Sequence, residues 1–112
     1  MHINLPIDNT TFNKLKNGEK TVDMSLLDDK RRYLTFKDTI TFTNQETEEK
    51  LEAEVVSVHI YPTFKELYAD FRKEELGYTT QEDASYMDME KYYPVEEQEK
   101  YCVVGVEVKV IK

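Results

Sequence analysis

The sequence of 112 residues is acidic, with 23 Asp and Glu against 15 Lys and Arg and a formal net charge of −8, which excludes a nucleic-acid binder working through a broad basic face that displaces many counterions. Apolar residues at 39%, charged residues at 34%, eight Tyr and five Phe exclude a disordered chain and predict one packed domain. The start lacks a cationic stretch before an apolar run, no window approaches the roughly 20 apolar residues of a membrane span, and the single cysteine, Cys102, excludes an internal disulfide; together these predict a soluble, cytoplasmic protein.

After an opening segment around "INLPI", the stretch "DNTTFNKLKNG" predicts a helix. Asp8 or Thr10 caps its start, Phe12 and Leu15 share a face, and Gly18 supplies the left-handed stop. In "KTVDMSL", residues 20 to 26, Val22, Met24 and Leu26 alternate with Thr21, Asp23 and Ser25, the period of a half-buried strand. Lys20 sits at the mouth of that strand on the parity of the apolar residues, and Asp23 on the other. "LDDKRR" predicts a loop, "YLTF" and "DTITFTN" predict strands, and "LEAEVVSVHIY" predicts a long strand after the charged turn "QETEEK".

In "PTFKELYADF", Thr63 and Glu66 have capping-box spacing, and Phe64, Leu67, Tyr68 and Phe71 form one apolar stripe. Residues 72 to 91 lack a sustained period and predict a long loop with short helical pieces. "YYPVEEQEKY" predicts a short helix with Pro94 in its first turn, and "CVVGVEVKVI" a last strand. Strands follow strands with helices outside the run, so the expected fold is α+β: a mainly antiparallel, partly closed β-barrel of five or six strands with short helices at its rim.

His2, His59 and Cys102 stand too far apart to suggest a metal site. His59 is expected to be a packed or surface histidine, His2 a frayed one, and Cys102 a small apolar residue in a strand. The isolated glycines 18, 77 and 105 make no phosphate-cradling loop, and no cofactor is expected. Charge is uneven: residues 1 to 40 carry a balance of +1, the other 72 a balance of −9. An anion is therefore drawn to the N-terminal part. There, burial of the Lys20 stem lowers the ammonium's pKa and Asp23 raises it, which predicts a structural or ligand-orienting ion pair between them. Among the later tyrosines, Tyr61, Tyr68, Tyr78, Tyr86, Tyr92, Tyr93 and Tyr101 are candidates for stacking on a base.

"NGEKTVDMSL" resembles the G-x-K-x-x-(E/D) signature of the ASCH superfamily, small domains similar in fold to the PUA RNA-binding barrel. "DTITFTN" resembles the family's GDxIxF strand, "VVSVHIYPTFKELY" its long strand and following helix, and "YYPVEEQEKYCVVGVEV" its C-terminal segment. The resemblance implies a single PUA-like domain over residues 1 to 112. It implies a cleft beside the first helix, the motif strand and the later helical segment, which binds RNA or a nucleotide-like ligand.

One branch of that family hydrolyses the acyl amide of N-acetylated cytidine with a Lys, a Thr and a Glu. Gly18 and Lys20 match the motif here, Asp23 stands where most members carry Glu and that branch its Thr, and Ser25 stands where Arg is common. The resemblance thus implies a ligand site of Lys20, Asp23 and Ser25, with Arg31 and Arg32 as candidates to supply the planar cation that Ser25 lacks. For the hydrolase alternative it implies Lys20, Asp23 and Glu75, with Thr21, on the strand face of Asp23, or a water held by Asp23 as the substitute nucleophile. A further class is a protein-interaction module using the acidic loop of residues 73 to 90.

Overall fold

The computed structural model describes residues 1 to 111. In chain order the elements are β1 (His2–Ile7), α1 (Asn9–Lys16), β2 (Val22–Leu26), β3 (Thr39–Asn44), β4 (Lys50–Tyr61), α2 (Phe64–Asp70), α3 (Met87–Glu90), α4 (Val95–Tyr101) and β5 (Val103–Val110). The five strands form one sheet in the order β1-β3-β4-β5-β2. β1 runs parallel to β3, and the other three pairings are antiparallel. The sheet curls into a half-barrel with short helices around it, the α+β architecture expected from the sequence.

Local chemistry sets the boundaries. Asp8 caps α1 by accepting from the Thr11 N–H at 3.1 Å, and Gly18 takes the left-handed conformation (φ 78°) that turns the chain out of the helix. At α2, Thr63 and Glu66 complete the capping box. The motif strand begins at Val22 rather than at Lys20, because the N–H groups of Thr21 and Val22 both donate to the Glu75 carbonyl instead of a strand partner.

Three local expectations are corrected. "YLTF", residues 33 to 36, is a turn region and not a strand. Leu34 alone is buried there, Tyr33 and Phe36 are exposed, and Lys37 has a positive φ that strand pairing does not accept. His2 is not frayed: it lies in β1 opposite Thr39, and its ring nitrogens pair with the Thr39 and Thr41 hydroxyls. Cys102 lies outside β5, ending α4 with φ 67°.

The core has two parts. In the first, Phe12 and Leu15 of α1 meet Ile40, Phe42, Val55 and Val106 of the sheet; each such side chain contributes roughly 1.5–3 kcal/mol by leaving water. The second gathers Val22, Phe64, Leu67, Leu76 and Val103, with half-buried tyrosines around them. Gly105 of β5 lets α2 settle here, since a methyl group at that position would lie 3.2 Å from Val22 and 3.3 Å from Leu67. No helix among the described residues is long and apolar enough to cross a membrane.

Candidate functional site

A cleft of about 670 Å³ is lined by both edges of the half-barrel, Pro6 and Ile7 of β1 and Asp23 and Met24 of β2. Asp8, Thr10, Thr11 and Lys14 line it from the first turns of α1, and Met89, Tyr92 and Tyr93 from the late helical segment. Lys20, Arg31 and Gln45 complete it.

Both lysines are held by backbone oxygens of a single turn. The Lys14 ammonium donates to the Gly77 carbonyl at 2.8 Å, and that of Lys20 to the Leu76 carbonyl at 3.2 Å. Gly77 (φ 102°) is itself packed along the Lys20 stem, where an added methyl group would lie 3.4 Å from Cδ. Burial holds the Lys20 pKa below that of an ordinary lysine; the Asp23 charge opposes the shift, nearby Lys14 adds to it and Asp8 opposes it again. Asp8 shifts the other way: burial alone would raise its pKa, but the bonds from Thr11 outweigh that and hold it low.

Asp23 and Arg31 form the buried polar centre. Arg31 Nε donates to Asp23 Oδ2 at 2.9 Å, and Nη1 donates to Asp28. Burial alone would lower the Arg31 pKa, but Asp23 and Asp28 more than compensate and raise it. The side chains of Arg31 and Asp23 are only 10% and 5% exposed, so each charge is tolerated because the other is there. The direct ion pair expected between Lys20 and Asp23 is therefore replaced by one between Arg31 and Asp23. Lys20 shares the cleft and feels Asp23 only through space.

The remaining candidates divide. Ser25 is buried in β2 and does not line the cleft. Arg32 is exposed, 3.8 Å from Asp29. Thr21 is exposed outside β2, its N–H bonded to Glu75 and its carbonyl to the Val108 N–H. The Glu75 carboxylate accepts from the Arg72 N–H, and its contribution at the motif strand is its carbonyl. Neither Thr21 nor Glu75 lines the cleft.

Asp8, Lys14, Met24 and Met89 line it and were not singled out from the sequence. A signal existed for Lys14: it stands one helical turn beyond Thr10 and Thr11, so a polar face of α1 pointing to one place was readable. Among the described residues, no group of three or more His, Cys, Asp and Glu is placed to hold a metal ion.

No family model and no curated protein matches the sequence. Among solved structures, the chain is similar to the hypothetical protein PH0355, with 25% identity and a TM-score of 0.82 over 99% of this chain and 100% of that one. It is similar to protein PF0455 from Pyrococcus furiosus, with 23% identity and a TM-score of 0.69 over 100% and 99%. It is also similar to the ASCH domain from Lactobacillus crispatus JV V101, with 15% identity and a TM-score of 0.62 over 97% and 79%. The half-barrel and its rim helices define a small PUA-like α+β domain. In particular, the chain has the fold of an ASCH domain.

Proposed function

We propose that the cleft binds a nucleotide or nucleoside-like ligand, free or as an unpaired unit of RNA. One observation carries this reading: in a chain of net charge −8, three cations, Lys14, Lys20 and Arg31, converge on one cleft that is also lined by Tyr92 and Tyr93. The lysines take phosphate oxygens, each keeping donors beyond the one spent on the 76–77 turn. Tyr92, which is 72% exposed, offers a face for a base, and Asp23 keeps Oδ1 for an exocyclic amine. Calorimetric titration of nucleosides, nucleoside monophosphates and short RNAs is the test. Lys20→Ala lowers nucleotide affinity by about tenfold or more; equal affinities in the two proteins remove the cleft from the account.

A second reading is hydrolysis of an acylated nucleoside amide. The lowered pKa of Lys20 favours it, since a lysine acts as a general base only when its neutral form is accessible. With Thr21 outside the cleft, the attacking group in this reading is a water. Deacylation of an acylated cytidine, followed by the absorbance of the base, is expected to vanish in Lys20→Ala. Turnover that survives loss of both Lys20 and Asp23 sends the chemistry elsewhere.

A further inference from the structure

The two strands that line the cleft, β1 and β2, are the two edges of the sheet, so each turns alternate backbone groups away from its partner. On β2, Val108 N–H reaches the Thr21 carbonyl and Leu27 N–H reaches the Cys102 carbonyl, so residues of odd number face β5. The N–H and C=O of Val22, Met24 and Leu26 therefore face away from it. Val22 spends its N–H on Glu75. On β1, the carbonyls of Met1 and Ile7 accept from β3 and its extension, so Asn4 and Pro6 face outward. The Asn4 carbonyl is taken by Lys30 at 2.8 Å, and Pro6 has no N–H.

What this leaves at the cleft is short. Met24 presents a donor and an acceptor side by side, and Pro6 presents a carbonyl. No ladder bond of the described residues engages them. An extended peptide adding itself to β2 needs a run of open edge, and the edge is stopped one outward position before Met24 by the bond from Val22 to Glu75. A single outward residue instead matches a flat ring that carries a hydrogen-bond acceptor next to an N–H.

We infer that the backbone N–H and C=O of Met24 read the hydrogen-bonding edge of a planar heterocycle, while the lysines hold its phosphate. This rests on the nucleotide reading above and adds to it the chemical class recognised: rings with adjacent donor and acceptor, such as the pyrimidine and purine bases, rather than any aromatic phosphate. Blocking the ring's N–H leaves the Met24 carbonyl unpaired beneath the bound ring, which costs affinity.

The experiment compares uridine monophosphate with its 3-methyl derivative by calorimetry, on the full chain. The wild type is expected to prefer the unmethylated nucleotide by about tenfold or more. Met24→Pro, which keeps the carbonyl but removes the outward N–H that the ring's acceptor would take, and is compatible with an edge strand, is expected to weaken uridine monophosphate binding about tenfold beyond the effect of losing the side chain. Met24→Ala keeps both backbone groups and therefore the discrimination, and its loss of affinity measures the missing side chain alone. Equal binding of the two nucleotides by the wild type overturns the inference and leaves the nucleotide reading standing, and this arm holds whether or not the proline variant folds. A folded Met24→Pro protein that binds uridine monophosphate as tightly as Met24→Ala also overturns it. Failure of the wild type to bind any nucleotide or nucleoside overturns the underlying reading instead.

Discussion

Two irregular segments reach the cleft, and they are held by opposite means. Residues 27 to 38 are fixed mainly by charge: Arg31 reaches back to buried Asp23 and to Asp28, Lys30 bonds the β1 backbone, and Leu34 with half-buried Leu27 supplies the apolar anchor. Residues 72 to 91 are docked without a buried ion pair. Leu76 is buried in the second core, the Glu75 carbonyl accepts from the start of the motif strand, and the Tyr78 hydroxyl bonds Tyr68 and Asp88. The first segment supplies the cleft with a cation; the second supplies carbonyls that aim two cations held elsewhere. A buried ion pair is intolerant of losing one member, whereas a loop docked by apolar contact loosens in proportion to the contact removed.

Arg31→Met tests that contrast most severely. It strands Asp23 as an unpaired buried charge and is expected to cost about 3–5 kcal/mol of stability in urea unfolding. The double variant Arg31→Met with Asp23→Asn recovers most of it, and a cost unchanged in the double variant means the two side chains are not coupled. Next comes Leu76→Ala, with an expected loss of about 3 kcal/mol from the cavity it leaves. Because Leu76 and Gly77 hold both lysines, nucleotide affinity falls as well, and unchanged affinity separates the turn from the cleft.

A smaller effect follows from the low pKa of Lys20. As pH rises through it the ammonium becomes neutral, so affinity for a phosphate ligand decreases at a pH below that at which ordinary lysines titrate. A titration series from neutral to alkaline pH measures this, with the unphosphorylated nucleoside as the control that does not follow the same curve. The smallest effect is that of Arg32→Ala, next in sequence to the most severe site. Its partner Asp29 is 99% exposed, and less than about 0.5 kcal/mol is expected. A larger cost would show that the whole basic triplet, and not one member, holds the segment.

What could be read in the sequence was what neighbours in sequence decide. The cap at Asp8, the stop at Gly18, the capping box at Thr63 and the alternation of the long strand each rest on a few adjacent residues, and each is present. The family motif also located the cleft lysine. What the sequence hid depends on partners far along the chain. Arg31 and Arg32 are indistinguishable as a basic loop until one of them finds Asp23. The parallel pairing that fixes His2 joins residues 37 positions apart, and no local pattern encodes it. "YLTF" has strand composition, yet it turns where Leu34 alone is buried and Lys37 takes a positive φ.

The position of β5 between β4 and β2 has a consequence for biosynthesis. Among the described residues, the motif strand's partner in the sheet is residues 103 to 110, made some 80 positions after it. Until then the emerging polypeptide has no template on which to lay Asp23, and long-range closures of this kind are slow. A nascent chain arrested before Val103 thus carries Lys20 and Asp23 without the scaffold that brings them into one pocket, so the pocket assembles only once β5 is made.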